Sequence, residues 1–224
     1  MPMTSMSEVY SSDGKASASD YDSSYPVEFT EQDGIACAHC YRSTYRSIRI
    51  FNVLGSLPFG SAPRTFSFWC KRSTTATSDG TALWYGSASG DGRCICVKFN
   101  GSNAVMADFY NSGTDTNVTY GSVQSTANVM NDRKWHHIAV SLWNNESNRA
   151  AGAVWIDGDK KYEGYANAAL DTYTAYSYAC IGGKSQHSVW DKPLNGWIAG
   201  FRAYDRVLSS LEISQLAKEF NPTT

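Results

Sequence analysis

A chain of 224 residues with 42% hydrophobic and 13% aromatic side chains can bury one sizeable core, and all-β sandwiches commonly reach about 200–250 residues as a single unit. A formal charge of -2, with only 18% charged residues, excludes the basic footprint of a nucleic-acid binder. There is no apolar run of about 18 residues, so membrane insertion is not expected.

Residues 1–26 are rich in Ser and Asp and show no hydrophobic period. They are expected to form a flexible arm ahead of one domain over 27–224, and fully extended they would reach about 80 Å. The opening has neither a basic leader nor an apolar segment, so a secretory signal peptide is not expected there. This suits a protein that works where it is made or reaches the outside on a particle such as a virion.

From about residue 28 short alternating runs are separated by Gly, Asn, Asp and Ser, which predicts strands and turns. Glu31-Gln32-Asp33 spaces two acids by two, but beside Gly34 it reads as a solvated turn. Cys37-Ala38-His39-Cys40 has a metal-like look. A zinc site needs about four ligands, and no second pair completes this one. In Thr65 to Lys71, Phe66, Phe68 and Cys70 should face one way and Ser67, Trp69 and Lys71 the other. Strands are predicted at Leu83 to Gly86, Arg93 to Phe99, Val105 to Tyr110, Trp135 to Trp143, Ala153 to Ile156, Tyr178 to Ile181 and Trp197 to Tyr204. Asn100-Gly101 and Asp157-Gly158 are hairpin signals, because both residue types tolerate positive φ.

One helix is predicted. It starts near Leu208-Ser209-Ser210, uses a serine cap with Glu212 in the first turn, and ends near Glu219. Its apolar stripe would be Leu211, Ile213, Leu216 and Ala217. Many strands with one short C-terminal helix predict an all-β, antiparallel two-sheet sandwich. Cys94 and Cys96 lie two apart on one strand and point the same way, so a bond between them is awkward. The six cysteines are therefore expected to be free and structural.

Three segments carry a resemblance. Trp135-His136-His137-Ile138-Ala139-Val140 followed by Val154-Trp155-Ile156-Asp157-Gly158, the upstream stretch at 66–71, and the downstream stretch at 194–216 occur in the order seen in laminin-G-like domains. Together they make the chain resemble the laminin-G-like, concanavalin A-like lectin and glucanase superfamily over roughly residues 30–220. The resemblance implies a jelly roll of two stacked antiparallel sheets. It also implies a range of roles: lectins, adhesion modules, carbohydrate-binding modules, particle proteins and some glycan-cleaving enzymes. Many members carry acidic residues in the closing strand where this chain has Ile198-Ala199-Gly200. A calcium role is therefore not carried over to those positions.

Glycan cleavage needs two carboxyl groups facing each other across the bond, and no strand supplies a convincing pair. Ser/His/Asp chemistry would need a presented nucleophile, and no nucleophile-elbow motif is present. The chain is accordingly expected to be non-enzymatic, with glycan hydrolase or lyase activity as the lesser alternative. For a ligand, the best segment is 184–191, where Trp190 supplies an aromatic face and His187 and Asp191 supply polar contacts to sugar hydroxyls. Tyr173 and Tyr176 belong to a tyrosine-dense stretch suited to assembly contacts or a homo-oligomer. Trp69 and Trp84 are expected to pack rather than bind. Asp79 and Asp91 lie in glycine-containing loops without a calcium motif, so no metal or cofactor is expected. The sequons at Asn117 and Asn145 read as coincidental without an export signal. The expected partner is a surface glycan or glycoprotein. The alternative is a virion role in capsid decoration, a head fibre or a tail, docked on capsid or tail proteins through the arm.

Overall fold

The computed structural model describes residues 17–20, 23–41, 47–51, 57–73, 80–86, 94–111, 118–124, 129–166, 169–172, 178–183 and 193–219. Its strands are β1 (Ser17–Asp20), β2 (Glu28–Gln32), β3 (Ile35–Cys40), β4 (Ile48–Phe51), β5 (Arg64–Arg72), β6 (Gly80–Gly86) and β7 (Cys94–Phe99). They continue with β8 (Val105–Asn111), β9 (Val118–Gln124), β10 (His136–Asn144), β11 (Ala150–Ile156), β12 (Asp159–Tyr165), β13 (Tyr178–Ile181) and β14 (Gly196–Tyr204), and α1 (Ser210–Glu219) closes the series. Sheet A runs β1-β4-β13-β6-β7-β8-β9 and sheet B runs β12-β11-β10-β5-β14-β3-β2. Both are antiparallel and stack as the expected jelly-roll sandwich.

The main core fills the space between the sheets. Sheet B sends in Phe66, Phe68, Cys70, Ile138, Val140, Leu142, Val154, Ile156 and Ile198, all nearly or fully buried. Sheet A meets them with Ile48, Leu83, Tyr85, Ile95, Val97, Phe99, Val105 and Ile181. The period of two in β5 and β10 therefore assigns inside and outside as expected. One end of the sandwich is sealed by Arg64, which has no solvent exposure. Its guanidinium donates to the carbonyls of Pro58 (2.9 Å), Gly60 (2.7 Å) and Ala62 (2.6 Å) and to the Thr172 hydroxyl. Burial pushes it down to about 10, with Tyr85 opposing the shift.

The turns show how local chemistry sets register. Asp157 (φ 54°) and Gly158 (φ 86°) form the expected two-residue hairpin turn between β11 and β12. Asp33 (φ 54°) and Gly34 (φ 76°) do the same between β2 and β3, so the Glu31-Gln32-Asp33 stretch is a hairpin end, with Asp33 paired to Lys71. The Asn100 turn differs from expectation. It is a longer loop in which positive φ falls on Asn103 (57°), not on Asn100-Gly101. The Asn100 Oδ1 accepts the backbone N–H of Ser102 (2.9 Å) and Ala104 (3.0 Å), so the asparagine organises the loop through its side chain. The β10–β11 loop repeats this construction: Asn145 Oδ1 accepts from Ser147 and Arg149, both at 3.0 Å, and Asn148 sits at φ 54°.

The helix forms where expected, with a reciprocal cap. Ser209 N–H donates to Glu212 (2.9 Å) and Glu212 N–H donates to the Ser209 hydroxyl (3.3 Å). One expectation fails: Leu211 is 68% exposed. Ile213 is the buried helix residue and, with partly buried Leu216 and with Leu208 just ahead of the helix, lies on Ala139, Ala153 and Trp155 of the outer face of sheet B. Leu211 is two residues before Ile213, about 200° around the helix, so it cannot share that face. All six cysteines are buried. Within the stretch expected to be an arm, Ser17–Asp20 pairs with β4 at the edge of sheet A.

Candidate ligand-binding surface

His187, Trp190 and Asp191, the expected ligand contacts, lie outside the described residues, as do Tyr173, Tyr176, Asp79, Asp91 and Asn117. Trp69 and Trp84 are 6% and 2% exposed, which fits the expected packing role. The outer face of sheet A holds Trp84 with Cys94, Cys96 and Cys180 in one buried cluster. Burial raises the Cys180 thiol to about 12, despite the Arg49 cation beside it, so this thiol is a poor nucleophile at neutral pH.

The Cys37 to Cys40 motif is split by strand alternation. Cys40 and Ala38 enter the main core, while Cys37 packs outward with Ile35, Trp69, Trp135 and Ala199. Cys37 and Cys40 therefore cannot share a cation, and no metal-binding group of three or more ligands occurs among the described residues. Burial pushes Cys37 up to about 11 and Cys40 up to about 12.

A serine–histidine contact does exist. Ser67 Oγ lies 2.8 Å from His137 Nε2 on the outer face of sheet B. Both residues are sealed, at 2% and 1% exposure, and His137 Nδ1 has no hydrogen-bond partner among the described residues. Asp157 accepts the backbone N–H of His137 (2.9 Å), not its ring. Burial pushes the imidazole down to about 4. A buried weak base without an orienting carboxylate is a packing contact between strands, not a catalytic dyad.

A partly exposed constellation lies on the same face, toward β3 and β2. Pairing across four strands puts Glu28 opposite His39, His39 opposite Trp197, and Trp197 opposite Lys71. The His39 ring stacks on Trp197 with centroids 4.9 Å apart and planes at 12°. Tyr41 meets His39 edge-on at 5.8 Å. Glu28 Oε2 lies 3.5 Å from His39 Nδ1, and the Lys71 ammonium sits 5.9 Å from the Trp197 ring while pairing with Asp33. Tyr41 is 42% exposed and His39 and Trp197 are half-buried, so the rings rise from the sheet into solvent.

Gly196 makes this arrangement possible. A Cβ there would fall 2.2 Å from the Lys71 carbonyl oxygen, so only glycine lets β14 pair this closely with β5 ahead of Trp197. Asp33 holds Lys71, and the Trp135 indole N–H donates to Gln32 O (3.2 Å), fastening the β2–β3 turn beside the rings. The surface thus combines an exposed aromatic face with carboxylate, imidazole and phenol groups. Such a surface can hold the C–H face of a sugar and bond its hydroxyls.

The Concanavalin A-like lectin/glucanases superfamily matches residues 44–214. The chain belongs to this superfamily. As a superfamily member it is similar in fold to domain 4 of AbnA, a GH43 extracellular arabinanase from Geobacillus stearothermophilus, solved in complex with arabinotriose. That match has 17% identity and a TM-score of 0.65 and covers 97% of this chain and 93% of the other. The CBM40 of the Ruminococcus gnavus IT-sialidase gives 15% identity and a TM-score of 0.53, covering 70% of this chain and 84% of that one. The receptor binding domain of botulinum neurotoxin D gives 16% identity and a TM-score of 0.63; 92% of this chain aligns, spanning 48% of the toxin domain. No curated protein sequence matches the chain.

Sequence reasoning passed over His39, Tyr41 and Trp197 as a group. A signal was present in this superfamily member: Trp197 alternates with the core residue Ile198, and His39 alternates with Ala38 and Cys40. Both therefore face outward. What was missing was the register that sets β3 beside β14, two strands far apart in the chain.

Proposed function

We propose that this protein is a non-enzymatic glycan-binding module, and that Tyr41, His39, Glu28 and Trp197 form a ligand surface on sheet B. The exposed ring cluster with its polar rim carries this reading. Tyr41 offers the face for a sugar ring, Trp197 braces His39, and His39 and Glu28 take hydroxyl contacts. Complexes of two fold relatives support it, one with arabinotriose and one, a CBM40, with alpha2,3 sialyllactose. The segment of His187, Trp190 and Asp191 is a second candidate contact region for the same ligand, resting on its sequence chemistry.

A glycan array with wild type, Tyr41→Ala and Trp190→Ala tests the assignment. Loss of binding in Tyr41→Ala supports the sheet B surface. Loss only in Trp190→Ala moves the site to the 184–191 segment. No glycan bound by wild type removes the glycan reading, and reducing-sugar release from mixed polysaccharides overturns the non-enzymatic one.

The second reading is a particle component that uses residues 1–26 together with Tyr173 and Tyr176 for assembly, at a virion or other extracellular surface. It is favoured by β1, which fastens part of that N-terminal stretch to an edge of sheet A. Deleting residues 1–16 should then abolish co-assembly while leaving glycan binding unchanged.

A further inference from the structure

His136 stands at the start of β10 with both ring nitrogens engaged by carboxylates. Nδ1 lies 2.7 Å from Asp157 Oδ2 and Nε2 lies 2.9 Å from Asp132 Oδ1. An ionised carboxylate only accepts, so both nitrogens must donate, and only the imidazolium has two N–H groups. We propose that His136 is a proton-dependent clamp, whose imidazolium ties the β11–β12 turn to the segment before β10 and releases that tie when the ring loses a proton.

The groups facing the ring are Asp157 from the turn and Asp132 from the preceding segment, with Lys134 beside Asp132. Burial works against the charged ring, but the bonds and charges of Asp157 and Asp132 outweigh it and raise the group above its ordinary value of about 6.5. Both ends of the clamp lead to other contacts. Gly158, next to Asp157, lies against α1: a Cβ on it would be 3.2 Å from Ser214 Cα. The segment of Asp132 continues to Trp135, whose indole donates to Gln32 O. Opening the clamp would loosen the covering of the outer face of sheet B from two sides. This holds whether or not the nearby aromatic surface binds a sugar.

The direction follows from linkage. Because the folded-state value is raised, the stabilisation is complete below about pH 6.5 and is lost as pH rises through the higher folded value. An NMR titration of the histidine ring protons in the full chain, with H136Q to assign the signal, should place His136 above the ordinary value. Asp132→Asn should move it back down. Thermal unfolding between pH 6 and pH 9 should show wild type losing a few degrees of Tm that H136Q does not lose. A wild-type His136 that titrates at or below about 6.5, or parallel Tm profiles for wild type and H136Q, overturns the clamp. If H136Q does not fold, the wild-type titration together with Asp132→Asn still decides the matter.

Discussion

The two faces of sheet B solve different problems. The inner face is a continuous field of Phe, Ile, Val and Leu against sheet A, and nearly every member is fully buried. The outer face is a mosaic. Ile213 and Leu216 of α1 cover Ala139, Ala153 and Trp155; Trp135 covers Cys37 and Trp69; and the polar pairs Thr65–Ser141 and Ser67–His137 bridge strands between them. The row of Glu28, His39 and Trp197, with Tyr41 beside it, is partly open to water. One face therefore supplies stability through apolar area, and the other spends part of its area on polar contacts that position a surface.

Substitutions can break this contrast in order of size. Phe68→Ala empties a 1% exposed position between the sheets and should cost about 3–5 kcal/mol in urea unfolding. Gly196→Ala drives a Cβ into the Lys71 backbone and should cost about 1–3 kcal/mol, while disturbing the Trp197 row. Ser67→Ala removes the bonded partner of His137 Nε2 and leaves that ring without a hydrogen bond, for a cost of about 1–3 kcal/mol by the same measurement. Ser209→Ala breaks the helix cap and should cost about 1 kcal/mol, with α1 amides losing hydrogen-exchange protection before those of β10. Tyr41→Ala should change stability by no more than about 0.5 kcal/mol yet weaken glycan affinity about tenfold. An equal loss of stability in Tyr41→Ala and Phe68→Ala would erase the distinction between the faces.

Strands with a strict alternation were legible from residue order alone. In β5 and β10 the inward set of Phe66, Phe68, Ile138, Val140 and Leu142 was correctly assigned, because the middle of one face of each strand is apolar. Strand β12 was not recognised. Its sequence DKKYEGY is exposed almost throughout at the edge of sheet B, so burial imposes no alternation on it. Short β4 and the paired segment Ser17–Asp20 carried too few residues to show a period. The Asn100 loop was misjudged because the asparagine acts through its side-chain oxygen, a role that a dipeptide signal does not distinguish from a two-residue turn. In the helix, the cap was legible and the stripe only partly so, since Leu211 could be placed only once the face resting on Ala153 and Trp155 was known.

For the proposed ligand surface, outward orientation could be read locally but neighbourhood could not. His39 and Trp197 come from strands separated by most of the chain, and they stack because β14 lies between β5 and β3 in sheet B. By itself, residue order determined the sandwich, the core faces of β5 and β10 and the helix cap. These depend on period-two burial and on contacts between near neighbours in sequence. The tertiary structure alone decided which outward residues meet, that Ser67 and His137 are sealed, and that His136 is held between Asp132 and Asp157. Strand order and sheet coverage set those distances, and neither is encoded in any short stretch of chain.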